Sequence, residues 1–223
     1  SDILKKFHAP STHPSSFLVS FEGLEGAGKS LQILNFKEFL EKQGWEVLLV
    51  REPGGTLFGE KIREAILQSS TALTPLAEAL AFACSRAQLL SENILPYLQK
   101  EKRVVIVDRF IDSSLAYQGM GRSLNFETIL NLHSYAPLTA LPHLTFYLAI
   151  PWETSLERMK TRGKNLDYFE LQGEDFFKKV SEGYDLSQKL FPERIKRIQG
   201  TDSPDQVFKE ICHVWEHFIC HAN

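Results

Sequence analysis

The chain has 223 residues, of which 43% are hydrophobic and 24% are charged, and its formal net charge is −3. This length and composition suit one α/β domain with a substantial core. The charge provides no global basic field, so a nucleic-acid partner is not expected. No apolar run approaches the roughly 20 residues that a membrane span needs, so a membrane protein is not expected either.

Residues 1–16 are polar and lack the apolar core of a signal peptide, which predicts a flexible leader before a single domain at residues 17–223. The three cysteines are Cys84, Cys212 and Cys220. They cannot all pair with one another, and they lack the spacing of a metal-binding pair. This pattern favours a reduced, cytoplasmic protein.

Strand and helix signals alternate along the chain. The predicted strands are residues 17–22, 45–50, 104–108, 144–150 and 194–199. The predicted helices are residues 30–43, part of 56–69, 75–90, 94–100, 126–135, 152–162 and 174–190, with a last helix after a capping box at Ser203. The alternation predicts a three-layer α/β fold, with a five-stranded parallel sheet and helices on both faces. Ligands then bind at the carboxyl ends of the strands.

The most informative segment is the glycine-rich stretch at residues 23–30, which fits the pattern G-x-x-x-x-G-K-S/T between an apolar strand and an amphipathic helix. Glycines here permit positive φ, so that backbone N–H groups can surround a phosphate. Lys29 adds charge at the β and γ phosphates, and Ser30 offers a hydroxyl to Mg²⁺. The residues expected to bind a nucleoside triphosphate are Gly23, Leu24, Glu25, Gly26, Ala27, Gly28, Lys29 and Ser30.

Charged residues follow the other predicted strands. Asp108 ends a β-branched apolar run, which is typical of a carboxylate near the Mg²⁺ of a bound nucleotide. A phosphoryl transferase must also hold an anionic acceptor, and guanidinium groups suit that task. The arginines predicted to open toward the same crevice are Arg51, Arg63, Arg86, Arg109 and Arg122. This cluster favours transfer between two phosphate-bearing substrates over simple hydrolysis.

Two further details refine the prediction. Phe82 and Arg86 are four residues apart on one helix, so together they can stack a base and hydrogen-bond its edge. The alternative is a core phenylalanine with Arg86 extending beyond it to solvent. The negative charge of Glu25 would repel a bound phosphate. Its position in the loop therefore implies a nearby cation that offsets this repulsion, either Mg²⁺ or an arginine that Glu25 orients.

These segments together resemble those of bacterial thymidylate kinases. The resemblance depends on residues 21–30, the Arg-Glu-Pro-Gly-Gly-Thr run at 51–56, Phe82 with Arg86, and Asp108-Arg109 followed by Ala-Tyr-Gln-Gly at 116–119. It implies a P-loop nucleoside monophosphate kinase with a short lid at about residues 158–172, usually a homodimer. The implied reaction transfers the γ-phosphoryl group of Mg-ATP to dTMP, giving dTDP and ADP.

The resemblance also implies roles around the acceptor base. Phe82 stacks on thymine, and Arg86 hydrogen-bonds its edge. Ser114 and Gln118 lie near the base. Tyr117 crowds the 2′ position of the sugar and so favours the deoxy form.

On the phosphate side, the resemblance implies that Arg63 and Arg109 hold the acceptor phosphate, with Glu25 close by. Pro53 bounds the sugar pocket. Lys29 and Glu25 of the phosphate loop, together with Arg109, are therefore predicted to be catalytic.

The chain departs from the family pattern in the lid. Either the phosphate loop or the lid of this family supplies a catalytic arginine, and the loop here has Ala27 instead. The lid is one residue longer than the usual pattern, and Tyr168 stands where the arginine is expected. Either Arg158, Arg162 or Lys164 takes the role, or turnover is slow; Arg162 is favoured.

Other functions remain open at this point. The chain could phosphorylate another nucleoside monophosphate or a deoxynucleoside. It could be a P-loop ATPase or switch that acts through a protein partner, although the Asn-Lys-x-Asp guanine motif of GTPases is absent from the sequence. Tyr168 also allows a binding module with a degenerate catalytic site.

Overall fold

The computed structural model describes residues 2–69, 71–161, 168–169 and 171–222. The described residues form one parallel five-stranded sheet in the order β2-β3-β1-β4-β5. The strands are β1 Phe17–Glu22, β2 Glu46–Arg51, β3 Arg103–Asp108, β4 Leu144–Ala149 and β5 Ile195–Gln199. The predicted α/β class, with helices on both faces of a five-stranded parallel sheet, is confirmed.

Helices connect the strands and cover the sheet. They are α1 Lys29–Lys42, α2 Leu57–Leu67, α3 Pro75–Leu89, α4 Leu95–Tyr97, α5 Ile111–Ser114, α6 Phe126–Leu132, α7 Trp152–Thr161, α8 Glu174–Leu190 and α9 Pro204–His221. A 3-10 helix covers Asp2–Lys6, and π-helical turns cover Leu90–Ile94 and Leu115–Gly121. Among the described residues, no helix is long and apolar enough to cross a membrane.

The three central strands of the sheet, β3, β1 and β4, are buried on both faces. Along β3, Val104 and Ile106 belong to one hydrophobic cluster, while Val105 and Val107 belong to the other. Side chains alternate across a strand, so a strand covered on both faces needs a continuous apolar run. This explains why the β-branched run before Asp108 predicted a strand so clearly.

The last helix begins as the sequence predicts. Ser203 Oγ accepts a hydrogen bond from the Gln206 backbone N–H at 3.4 Å, and the Gln206 side chain accepts one from the Ser203 N–H at 3.2 Å. Pro204 occupies the first helical position. The predicted capping box is therefore confirmed.

Residues 111–121 carry structure that the sequence did not predict. Helix α5 is followed directly by the π-helical turn Leu115–Gly121, and Tyr117 within it is buried. This segment packs closely on α8, because a Cβ added at Gly183 would come within 2.7 Å of the Ala116 Cα. Gly183 and Ala116 are small enough to permit this approach.

Residues 2–16 pack against the rest of the chain, whereas we expected a flexible leader at 1–16. Phe7 is only 7% exposed and joins a core cluster. The His8 N–H donates to the Thr139 carbonyl at 3.3 Å, and the Ser16 hydroxyl donates to the Lys100 carbonyl at 2.6 Å. Ile3 and Leu4 pack against the same cluster. Three apolar residues in a short polar segment leave little periodic signal, which is why the composition of the segment did not indicate packing.

Candidate active site

A cavity of about 310 Å³ opens at the carboxyl ends of the strands, where the predicted fold places a ligand site. Most of the predicted site residues line it. They are Glu25, Lys29, Ser30, Pro53, Arg63, Phe82, Asp108, Arg109, Tyr117 and Gln118. Arg51, Glu52, Leu67, Ser113 and Phe169 complete the lining.

The phosphate loop joins β1 to α1, and its glycines are required by its backbone. Gly23 has a φ of 137°, and a Cβ there would lie 2.4 Å from the Leu148 carbonyl oxygen. Gly28, with a φ of 90°, stands at the cap of α1. Other residues would be strained at both positions, so the loop holds its curved path only with glycine.

Lys29 is buried inside the curve of this loop. Its Nζ donates to the carbonyl oxygens of Gly23 at 3.0 Å and Leu24 at 3.2 Å. Burial and then the charge of Arg109 lower the pKa of Lys29 below its usual value. The side chain is thus fixed against the loop backbone, with its ammonium group at the cavity wall.

Ser30 and Asp108 line the same cavity, which fits their predicted place beside a metal ion. The Oδ1 of Asp108 is buried without a hydrogen-bond partner in the described structure. The described residues contain no group of three or more His, Cys, Asp or Glu side chains that could hold a metal by themselves. Such a donor set suits Mg²⁺, which usually takes one or two protein ligands and keeps waters and substrate phosphates.

Arg109 lies at the end of β3 and pairs with Glu25 of the phosphate loop. Its guanidinium also donates to the Tyr184 hydroxyl at 2.9 Å and lies 5.0 Å from the centroid of the Tyr117 ring. The backbone of Arg109 has a φ of 69°, which is unusual for a residue with a side chain. Glu25 therefore contacts an arginine, one of the two arrangements that its position in the loop implied.

Glu22, the last residue of β1, supports this arrangement and was not identified from the sequence. Its carboxylate accepts hydrogen bonds from the Phe110 N–H at 2.7 Å, the Ser113 hydroxyl at 2.6 Å and the Tyr184 hydroxyl at 3.2 Å. Burial and then the charge of Asp112 raise the pKa of Glu22 to about 7. These bonds fix the backbone and the hydroxyl groups around Arg109.

Two more arginines reach the cavity from either side of the turn after β2, Arg51 as the last residue of β2 and Arg63 from α2. Arg51 pairs with Glu60 at 3.0 Å, and Glu60 also accepts a hydrogen bond from the Gly55 N–H at 2.9 Å. Arg63 donates to the Pro53 carbonyl at 3.1 Å. The turn is therefore held by contacts with α2, and both guanidinium groups line the cavity.

Phe82 lines the cavity, but Arg86 lies behind it and is only 1% exposed. The Arg86 Nε donates to Glu52 at 2.8 Å, and its Nη1 donates to Ser114 at 3.0 Å. The alternative of an arginine that reaches solvent is therefore wrong, while the predicted hydrogen bond from Arg86 to the edge of a base stays a prediction. Ser114 also lies outside the cavity lining, because its hydroxyl is directed to Arg86. A buried arginine needs a buried carboxylate, and Glu52 supplies it.

His133 completes the contacts of Arg86 and was also missed. Its Nε2 lies 2.7 Å from the Arg86 Nη1, and its Nδ1 lies 2.8 Å from the Ile129 carbonyl oxygen. Burial and then the charge of Arg86 lower the pKa of His133 to about 3. The neutral ring is inferred to accept from Arg86 and to donate to Ile129. A single histidine at the end of a helix has no sequence signal for such a role.

Arg122, which we expected to open toward the crevice, lies outside the cavity lining. It pairs with the buried carboxylate of Glu78 at 3.1 Å and donates to Gln172 at 2.8 Å. Glu78 also accepts a hydrogen bond from the Gln118 side chain at 2.9 Å. Arg122 is therefore a structural cation rather than a free anion-binding group.

Of the candidates for the missing lid arginine, Arg162 and Lys164 lie outside the described residues. Arg158, on α7, is described. Its Nη1 donates to the Gly26 carbonyl at 2.9 Å and to the Gly200 carbonyl at 3.2 Å. A guanidinium group therefore contacts the backbone of the phosphate loop.

Comparisons with known proteins agree with this geometry. The sequence profile of the thymidylate kinase family matches residues 21–211. Thymidylate kinase of Kosmotoga olearia is 42% identical over 202 residues, covering 91% of this chain and 95% of that protein. Thymidylate kinase of Thermoanaerobacter sp. (strain X514) is 43% identical over 90% of this chain and 98% of its own length. The crystal structure of thymidylate kinase from Ehrlichia chaffeensis matches with a TM-score of 0.73 and 29% identity, over 91% of this chain and 99% of that chain. The chain belongs to the thymidylate kinase family.

Proposed function

We propose that this protein transfers the γ-phosphoryl group of Mg-ATP to dTMP, giving dTDP and ADP, in the synthesis of dTTP. The observation that carries the proposal is that residues of the phosphate loop line the same cavity as Phe82, Arg63 and Arg109. A triphosphate donor and a nucleotide acceptor both have matching chemistry there. An ATPase that acts through a protein partner would not need the second set of groups.

On the donor side, the backbone of residues 23–30 binds the phosphates of ATP, and Lys29 neutralises their charge. Ser30 and Asp108 would hold the Mg²⁺ that arrives with ATP and that neutralises charge on the β and γ phosphates. Arg162 remains the favoured lid residue from the sequence. Arg158 is an alternative, supported by its contact with the Gly26 carbonyl.

On the acceptor side, Phe82 stacks on thymine and Gln118 lies at the base. Tyr117 limits space at the 2′ position, and Pro53 bounds the sugar. Arg86 fixes the pocket from behind through Glu52 and Ser114, while its contact with the base edge remains an expectation from the family resemblance.

The transfer step requires positioning more than acid–base chemistry. Arg63 and Arg109 hold the acceptor phosphate, and Glu25 orients Arg109 through their ion pair. An acceptor oxygen attacks the γ-phosphorus in line, a new P–O bond forms, and the bond to the oxygen that bridges the β and γ phosphorus atoms breaks. The acceptor phosphate is already anionic at neutral pH, so no strong base is needed.

The test is an ADP-release assay with Mg-ATP and dTMP, dUMP, dGMP, dCMP or AMP in parallel. We expect dTMP to be the best acceptor and the Lys29→Ala variant to be inactive. A different best acceptor would refute the substrate assignment. Steady ADP release without any acceptor would favour an ATPase.

We also propose a cytoplasmic homodimer. The described cysteines Cys84, Cys212 and Cys220 are all free, which supports a reducing compartment. Leu76 and Leu80 on α3 are each about half exposed, and they offer apolar surface that a second copy could cover. Sedimentation equilibrium would decide, since a monomeric mass at micromolar concentration would contradict the dimer.

A further inference from the structure

The acceptor cavity has a third aromatic wall, Phe169. Its ring centroid lies 5.9 Å from that of Phe82 and 5.6 Å from that of Tyr117. The interplanar angles are 71° and 90°, so both contacts are edge-to-face. Phe82 belongs to α3 and Tyr117 to the π-helical turn, whereas Phe169 lies between α7 and α8. Three separate segments of the chain therefore enclose the same space.

Phe169 is held in place through its neighbour Tyr168. The Arg122 guanidinium lies 5.3 Å from the Tyr168 ring centroid and 5.8 Å from that of Phe169. Gln172 donates to the Tyr168 carbonyl at 2.9 Å and accepts from Arg122 at 2.8 Å. The two aromatic residues thus lie against a cation whose own position is fixed.

The position of Arg122 is fixed by the Glu78 carboxylate, which also contacts a residue that lines the cavity. Glu78 is fully buried and contacts both Arg122 and Gln118. Gln118 is a lining residue of the cavity. One buried carboxylate therefore sets the positions of a polar group and, through Arg122, of an aromatic wall in the same pocket.

We propose that Phe169 is a specificity-determining residue of the acceptor site that packs against the nucleobase, and that Arg122 and Tyr168 are its positioning residues. The inference rests on the proposed dTMP kinase function. An apolar ring beside Phe82 and Tyr117 suits a flat base with an apolar substituent, such as a 5-methylpyrimidine, better than the unmethylated ring. The proposal also assigns a role to Tyr168, which stands where the family pattern has an arginine. Tyr168 holds Phe169 in position.

The experiment compares Phe169→Ala, Phe169→Leu and a matched control, Leu171→Ala. Leu171 lies two residues away, is 68% exposed and does not line the cavity. For each variant, kcat, the KM values for dTMP, dUMP and ATP, and the Kd for dTMP by calorimetry are measured. Thermal unfolding is followed in parallel.

We expect Phe169→Ala to raise the KM and Kd for dTMP about tenfold, equivalent to about 1.4 kcal/mol. The preference for dTMP over dUMP should shrink, while kcat and the KM for ATP change less than about twofold. Phe169→Leu should recover part of the loss, and Leu171→Ala should match the wild type.

Unchanged or tighter dTMP binding in Phe169→Ala would overturn the inference. If Phe169→Ala is too unstable to assay, a Phe169→Leu variant with wild-type affinity and wild-type preference for dTMP over dUMP would overturn it equally. A loss of kcat and of ATP affinity together with a lowered Tm would indicate only a structural role and would also overturn it. If the wild-type protein itself fails to phosphorylate dTMP, the proposed function falls instead, so the two failures are distinguishable.

Discussion

Replacing Glu22 by glutamine should change how stability depends on pH. Burial raises the pKa of Glu22 from an ordinary 4.5 to about 7, because the carboxylate is removed from water and lies near Asp112. This rise corresponds to about 3 kcal/mol. The folded state favours the protonated carboxyl, so Glu22 makes its full contribution to the free energy of unfolding below pH 4.5. That contribution is lost as the pH rises through 7.

Glutamine is close in shape and does not titrate. Its side-chain carbonyl can still accept the hydrogen bond that the Phe110 N–H donates to Glu22. We therefore expect the free energy of unfolding of Glu22→Gln, relative to the wild type, to increase between pH 5 and pH 8 by up to about 3 kcal/mol.

Urea denaturation of both proteins at several pH values between 5 and 8 gives this difference directly. Glu210→Gln, the same change at an exposed position, provides a matched control. A difference between Glu22→Gln and the wild type that stays constant from pH 5 to pH 8 would show that Glu22 does not titrate in this range, and would refute the reasoning.

Three other substitutions have clear expected outcomes. Arg86→Met leaves a buried carboxylate without its partner and should lower the free energy of unfolding by about 3–5 kcal/mol in urea titrations. Gly183→Ala forces a Cβ against the backbone of a neighbouring segment and should cost about 1–3 kcal/mol, seen as a lower Tm. Arg162→Ala should lower kcat on the order of 10³-fold with little change in the KM for dTMP. A near-normal kcat in that variant, together with a slow Arg158→Ala variant, would transfer the role to Arg158.

The elements of the fold that are indicated by a short stretch of sequence could be predicted. Every strand of the described sheet was predicted to within one residue at each end, and the phosphate loop followed from glycines that its backbone requires at Gly23 and Gly28. The capping box at Ser203 depends only on residues three apart. In each case the signal that predicts the structure is carried by residues close together in the sequence.

The missed features depend on partners far apart in the chain. Glu22 is hydrogen-bonded to Tyr184, which is 162 positions away, and Arg86 to Glu52, which is 34 positions away. A single sequence contains no pattern that pairs such residues. The π-helical turn at Leu115–Gly121 was missed for another reason, since two glycines in seven residues argue against a helix. The structure shows that Gly121 packs against Phe176 and Val180 of α8, and Gly119 against Phe126 and Ile129 of α6.

Residues 2–16 pack at the end of the sheet opposite the cavity, so the contacts that hold them are separate from the residues that would bind nucleotides. Ser16 contacts Lys100 and Arg103, at the start of β3, and His8 contacts Leu141, just before β4. These are the amino ends of the strands, across the sheet from the cavity. Deletions or fused sequences at this edge would therefore alter how firmly the sheet is held without touching a group that meets a nucleotide. The amino ends of the strands thus hold residues 2–16 against the sheet, while the carboxyl ends carry the residues that line the cavity.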